Sequence, residues 1–263
     1  MTFLDHLEEL RWHIIRSFLA ILVFAVLAFV FKNFVFDVVI LGPSRPDFFT
    51  NRFLCQLSEM VQMPALCINQ TQLKFQNINM SGQFTMHIWI AFVAGAVAAF
   101  PYIFYEFWRF VRPALYEKEI KHSRGAIFAA SVLFSLGILF AYYIIAPLSV
   151  YFLGSYQVSE SVENIINFGS YVSTVSSIVL ASGVMFELPV FIYFLSKVGL
   201  VTASFLKKYR RHAIVLILAM AAIITPPDVI SQIMVCFPLI LLYETGIIIA
   251  KRVERKKEKE FAQ

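Results

Sequence analysis

The residues of this chain best placed to do chemistry are carboxylates in unusual company. Glu9 stands in His6-Leu-Glu-Glu-Leu-Arg11, and Glu119 closes Phe110-Val-Arg-Pro-Ala-Leu-Tyr-Glu-Lys-Glu119; each lies among basic neighbours, Arg11 and Arg16 for the first and Arg112, Lys118, Lys121 and Arg124 for the second. Two readings are open for this pair. They neutralise basic neighbours on a solvated surface, worth under about 1 kcal/mol, or they jointly receive a cationic partner, because a guanidinium binds carboxylates bidentately. Glu187, in Gly183-Val-Met-Phe-Glu-Leu-Pro-Val190, is the only formal charge between Phe168 and Lys197. An ionised carboxylate in such a run is costly. It is therefore either a neutral acid bonded to a backbone carbonyl freed by Pro189, or a polar point in a transport path. Thr225-Pro-Pro-Asp228, followed by Ser231-Gln232, is first of all a turn: Thr225 precedes a proline and ends its helix, and Asp228 can N-cap the next.

Enzyme signatures do not occur. The chain has no Walker A loop, no His-Glu-x-x-His, no Gly-x-Ser-x-Gly and no Cys/His cluster at metal spacing. Its five histidines, His6, His13, His87, His122 and His212, fall at the ends of apolar runs or between them, positions that suit interfacial side chains. We therefore expect no catalytic residue, no metal and no cofactor.

The elements that must hold these acids follow from composition. The chain is 59% hydrophobic and 15% charged, with a mean hydropathy of +0.74, and the apolar residues come in long blocks. A soluble domain averages nearer 45–50% apolar and about 25% charged, so the bilayer is the solvent. The start, Met1 to Arg11, lacks the basic region and short apolar core of a cleavable signal peptide. Leu4, Leu7, Leu10 and Ile14 instead predict a short interfacial helix, with residues 1–13 a cytoplasmic amphipathic segment. Spans are expected over about Ile14–Phe36, Phe84–Trp108 with a kink at Pro101, within Gly125–Tyr151, and Phe168–Lys197. The last two, Ala213–Pro227 and Val229–Tyr243, have fifteen residues each; at roughly 22 Å they fall short of the ~30 Å hydrocarbon core. One re-entrant hairpin is the rival reading of that pair. Residues 37–83 form a long outer loop whose Phe48–Met63 reads as an amphipathic helix ended by Pro64, and the charged tail 251–263 is expected to fray.

Lys and Arg set the orientation. Of the 22 in the chain, only Arg45, Arg52 and Lys74 fall on the side of the long loop, with Lys32 inside the first span. The rest cluster in the amino terminus, in the loops after spans two and four, and in the tail. The expectation is an all-α polytopic membrane protein with six transmembrane helices, the last two short, and both termini cytoplasmic. The net charge of +5 reflects that asymmetry rather than nucleic-acid binding. Cys55 and Cys67 both fall in the outer loop, where an oxidising compartment permits a disulfide; two free thiols packing as small apolar residues are the alternative.

Four motifs occur in fixed order: His6–Arg11, Phe110–Glu119, Phe186-Glu-Leu-Pro-Val190 and Thr225-Pro-Pro-Asp-Val-Ile-Ser-Gln232. Together they resemble TatC, the six-span receptor subunit of the bacterial twin-arginine translocase. The resemblance runs from the amino terminus to the last span. It implies recognition of paired arginines in signal peptides at the cytoplasmic face, assembly with single-span partners of the TatA and TatB type, self-association, and export of folded proteins by the proton-motive force across the bacterial inner membrane. By the same resemblance Glu9 and Glu119 match the family's twin-arginine-binding acids. Arg11 and Phe110 match positions in the same patch, and Glu187 matches an intramembrane polar residue. Pro43, Thr225, Pro226, Pro227, Asp228 and Gln232 match positions tied to assembly or partner contact. The cysteine pair is not part of that pattern. A proton-coupled secondary solute transporter, with Glu187 binding the coupling ion, is the alternative from another class.

Overall fold

A computed structural model describes residues 3–63, 67–68, 73–111, 123–159, 164–225 and 229–261. The chain is overwhelmingly helical. Helix α1 spans Phe3–Val30 and continues, after a short break, into a π-helical stretch, Phe34–Ile40. The outer region holds a 3-10 turn, Gly42–Ser44, helix α2, Phe49–Val61, and a two-residue strand β1, Phe75–Gln76. Helix α3 spans Gly82–Val111 and runs unbroken through Pro101. Helix α4, Ser123–Phe140, passes through π-helical Ala141–Ile145 into α5, Ala146–Ser155. Strand β2, Ile166–Asn167, pairs in parallel with β1. It leads into α6, Phe168–Phe186, and α7, Leu188–Val198. Three more helices follow: α8, Ala203–Lys208; α9, Arg210–Ile224; and α10, Val229–Phe261.

Among the described residues five helical stretches are long and apolar enough to cross a bilayer: Leu7–Val30, Gly82–Val111, Ile127–Ser155, Phe168–Val198 and Ser231–Lys257. Helix α9 is the short one, at fifteen residues. Three expectations need correction. The amino-terminal segment is not a separate interfacial helix: with no Gly or Pro between Phe3 and Leu41, nothing breaks it from the first span. The last helix is not short: α10 has 33 residues, and its stretch Ser231–Lys257 is long and apolar enough to cross a bilayer. Its charged end continues the helix to Phe261. Lys, Glu and Arg are good helix formers, and the end is pinned: Glu254 accepts a hydrogen bond from the Ala203 backbone N–H at 2.8 Å, and Lys257 donates to the Lys197 carbonyl at 2.6 Å.

Helices approach closely where glycine permits. A Cβ on Gly95 of α3 would lie 2.7 Å from the Ala25 nitrogen and the Ile21 carbonyl oxygen of α1. One on Gly137 of α4 would lie 2.8 Å from the Ser182 carbonyl oxygen of α6. The main core gathers Ile178, Ile192, Ile217, Leu239 and Ile247 from α6, α7, α9 and α10. Helix α1 packs chiefly along α3, so most of its apolar surface, Phe18, Leu22 and Val26 included, stays exposed. In a bilayer that surface meets lipid.

The outer region is tied to the spans by freed backbone groups. Pro147 cannot donate and crowds the carbonyl four residues back, which is that of Tyr143 inside the π-helical stretch; Thr50 of the outer helix donates its hydroxyl to that carbonyl. Tyr142 and Tyr171 hydroxyls donate to the Val39 and Ile40 carbonyls at 2.8 and 2.7 Å. Cys55 and Cys67 are disulfide-bonded, closing the segment beyond α2. That helix ends where Gln62 takes a left-handed φ of 55°, just before the expected stop at Pro64, which lies outside the described residues.

Candidate functional site

Helices α1 and α3 run antiparallel, and their register can be read from two points. Gly95 lies against Ala25, and Glu106 against His13. The same register brings the end of α3, with Phe110, level with the turn of α1 that carries Glu9. Along α1, Glu9, His13 and Arg16 lie three and four residues apart and share a face. Along α3, Tyr102, Glu106 and Phe110 do likewise.

These faces enclose a charged cluster. Glu106 is 2% exposed and His13 6%, and the His13 Nδ1 donates to a Glu106 carboxylate oxygen at 2.5 Å. Arg16 reaches the same oxygen at 3.9 Å, and Tyr102 turns its hydroxyl toward that carboxylate. The other nitrogen of His13, Nε2, faces Glu9 at 4.0 Å. Phe110 stands edge-on to the imidazole, ring centres 6.1 Å apart. An ionised acid shut away from water is tolerable only with such partners, and here a histidine and an arginine both supply them. Beside the cluster an apolar cavity of about 310 Å³ is lined by Leu10, Ile14, Phe18, Ile103, Phe107 and Phe110, among others. Glu9, half-buried, sits at the same end of α1, and Arg11 is exposed.

Glu9 and Phe110 thus share His13 as a neighbour. Glu119 lies outside the described residues, as do Pro226, Pro227 and Asp228. His13 and Glu106 were missed by the sequence reading, which treated every histidine as interfacial. The available signal was positional: Glu9 and His13 are one turn apart, and so are Glu106 and Phe110. His13 addresses the two acids from opposite ring nitrogens, and among the described residues no group of three or more ligands converges to hold a metal.

Glu187 occupies the joint between α6 and α7. It is 3% exposed, and among the described residues its carboxyl oxygens make no well-formed hydrogen bond, the backbone of Phe134 being the nearest donor. The other motif residues carry structure where they are described. Pro43 is buried, and its carbonyl accepts from Asn51 at 3.3 Å. Thr225 ends α9, its hydroxyl donating to the Ala221 carbonyl at 2.9 Å. Gln232 donates to the Leu218 carbonyl at 3.4 Å and so bridges α9 to α10.

Long, largely lipid-facing helices around a buried acid–histidine cluster define a multi-pass membrane protein. Comparison with known proteins makes this specific. A sequence model described as Sec-independent protein translocase protein (TatC) matches residues 5–238. The Sec-independent protein translocase protein TatC of a Blattabacterium from Periplaneta americana is 39% identical over 259 residues, covering 98% of this chain and 97% of that protein. TatCy of Bacillus subtilis is 32% identical, with 100% and 93% covered. A crystal structure described as the twin arginine translocase receptor TatC superposes with a TM-score of 0.70 at 30% identity, covering 95% of this chain and 99% of that one. This chain belongs to the TatC family of Sec-independent protein translocases.

Proposed function

We propose that this protein is the receptor subunit of a twin-arginine translocase. It binds twin-arginine signal peptides at its cytoplasmic face and, with single-span partners of the TatA and TatB type, exports folded proteins using the proton-motive force. The observation that carries the reading is the placement of Glu9. A half-buried carboxylate stands at the end of α1, level with Phe110 and beside His13, which itself lines an apolar cavity. One carboxylate accepts two parallel N–H bonds from a guanidinium, a geometry an ammonium cannot reproduce. Glu119, from the basic segment after α3, supplies the second acid, so that paired arginines find paired carboxylates. Arg11 borders the patch.

Glu187 serves the same translocase as a polar point within the bundle. A buried carboxyl group with no well-formed hydrogen bond among the described residues can engage a polar partner during transport. Pro43, Gln232 and the segment from Thr225 to Asp228 hold surfaces for partner contact and self-association. The protein sits in a bacterial inner membrane with both termini cytoplasmic, as the Lys and Arg distribution supports. Family membership removes the need for the solute-transporter alternative, because a buried acid in one span serves either function.

Crosslinking of a twin-arginine signal peptide to this protein in membranes tests the reading. Replacing Glu9 or Glu119 with Ala or Lys abolishes the crosslink while membrane insertion persists; a double variant that still crosslinks fully refutes the assignment.

A further inference from the structure

We propose that His13 and Glu106 are positioning residues that aim the Glu9 carboxylate at the cargo arginine. The inference rests on the receptor reading above, and its test separates the two.

Three observations carry it. The first is cost. Glu106 and His13 are almost wholly buried between α1 and α3, where apolar residues of similar volume would pack at no electrostatic penalty. A histidine–carboxylate hydrogen bond at such a place fixes how the two side chains sit relative to each other. The second is the wiring of the ring. Nδ1 is committed to Glu106 at 2.5 Å, which fixes the imidazole plane and hence the direction of Nε2. That nitrogen lies 4.0 Å from a Glu9 carboxylate oxygen, an ion-pair distance that holds the carboxylate when the ring carries a proton on both nitrogens. The third is that the anchor is itself held. Arg16 approaches the Glu106 carboxylate at 3.9 Å, and Phe110 closes the edge of the ring. Glu106 is thus the fixed end of a chain, His13 the link, and Glu9 the free end that meets cargo.

A long acidic side chain left free must be ordered when the guanidinium arrives, and that ordering weakens binding. His13 orders it beforehand. Neither His13 nor Glu106 needs to touch the peptide, which distinguishes a positioning pair from a third binding acid.

The test measures binding of a synthetic twin-arginine signal peptide to the purified full-length protein. Glu106→Gln and His13→Gln are each made in the natural sequence and again on a Glu9→Gln background. Each single change weakens binding roughly fivefold to tenfold, the effect of leaving one long side chain to be ordered. The two together weaken it no further than either alone, because they act as one chain. On the Glu9→Gln background, measured at peptide concentrations high enough to read the residual affinity left to Glu119, both changes become silent, within about twofold. A merely structural pair would not give that silence. Wild-type binding by Glu106→Gln overturns the proposal, and so does an equal loss with and without Glu9. If Glu106→Gln does not fold, His13→Gln on the two backgrounds decides alone. If Glu9→Gln by itself binds like the natural protein, the receptor assignment of Glu9 is what fails.

Discussion

Substituting Gly95 tests whether the α1–α3 approach positions the acid–histidine cluster. A methyl group there would lie 2.7 Å from two backbone atoms of α1 and 2.9 Å from the Ala25 Cα. Comfortable carbon contacts begin near 3.5 Å, so the helices must part by about 0.8 Å. Backbone atoms cannot rotate aside, which places the cost high in the range of about 1–3 kcal/mol for overpacking. Alanine's better helix propensity returns about 1 kcal/mol. The expected net loss is about 1–2 kcal/mol, a fall in apparent Tm of about 5 °C at the scaling of domains this size. Gly125 in α4 is the matched control: among the described residues a Cβ there meets nothing within 4 Å, so Gly125→Ala gains the propensity term without the clash. Thermal unfolding of both variants in detergent micelles, followed by near-ultraviolet circular dichroism, gives shifts of opposite sign. Gly95→Leu, with three more carbons to place, separates α1 from α3 altogether. Equal shifts for the two alanine variants would refute the close-approach argument.

Further outcomes follow from other contacts. Mass analysis of the membrane-extracted protein finds no titratable thiol at Cys55 or Cys67 until reductant is added, and replacing both by Ser costs roughly 3 kcal/mol for a loop of that length; two free thiols without reductant contradict it. Glu187→Gln retains more export of a folded reporter than Glu187→Leu if polarity is what the joint of α6 and α7 needs, whereas equal loss in both points to a titrating role. Glu254→Ala removes the acceptor for the Ala203 N–H, costs about 1 kcal/mol, and speeds hydrogen exchange at the start of α8; unchanged exchange there means that α10 does not pin the loop.

The helices were legible because bilayer-length apolar runs leave little ambiguity. What was not legible turned on contacts between elements. The break between interfacial segment and first span was inferred from a change of composition, yet without Gly or Pro the backbone had no reason to stop. The charged tail looked free because its anchors, the Ala203 N–H and the Lys197 carbonyl, lie some fifty to sixty residues away in sequence. The parallel bridge between Phe75 and Ile166 was invisible for the same reason. In the site, Glu9 and Phe110 could be picked out by motif, but the residue joining them could not. His13 looks like any interfacial histidine until α3 brings Glu106 against it, and Glu106 looks like the edge of a basic loop until it is seen buried. A one-turn spacing in each helix marked both, but only the antiparallel register made them one cluster.

The central claim is that this protein reads paired arginines through paired carboxylates. The most direct measurement is crosslinking of a folded precursor to this protein in native membranes, with the twin-arginine signal sequence compared against an otherwise identical twin-lysine version. A guanidinium can engage each carboxylate bidentately and an ammonium cannot, so the account predicts a strong crosslink for the arginine precursor and a much weaker one for lysine. Equal crosslinking of the two precursors would contradict it.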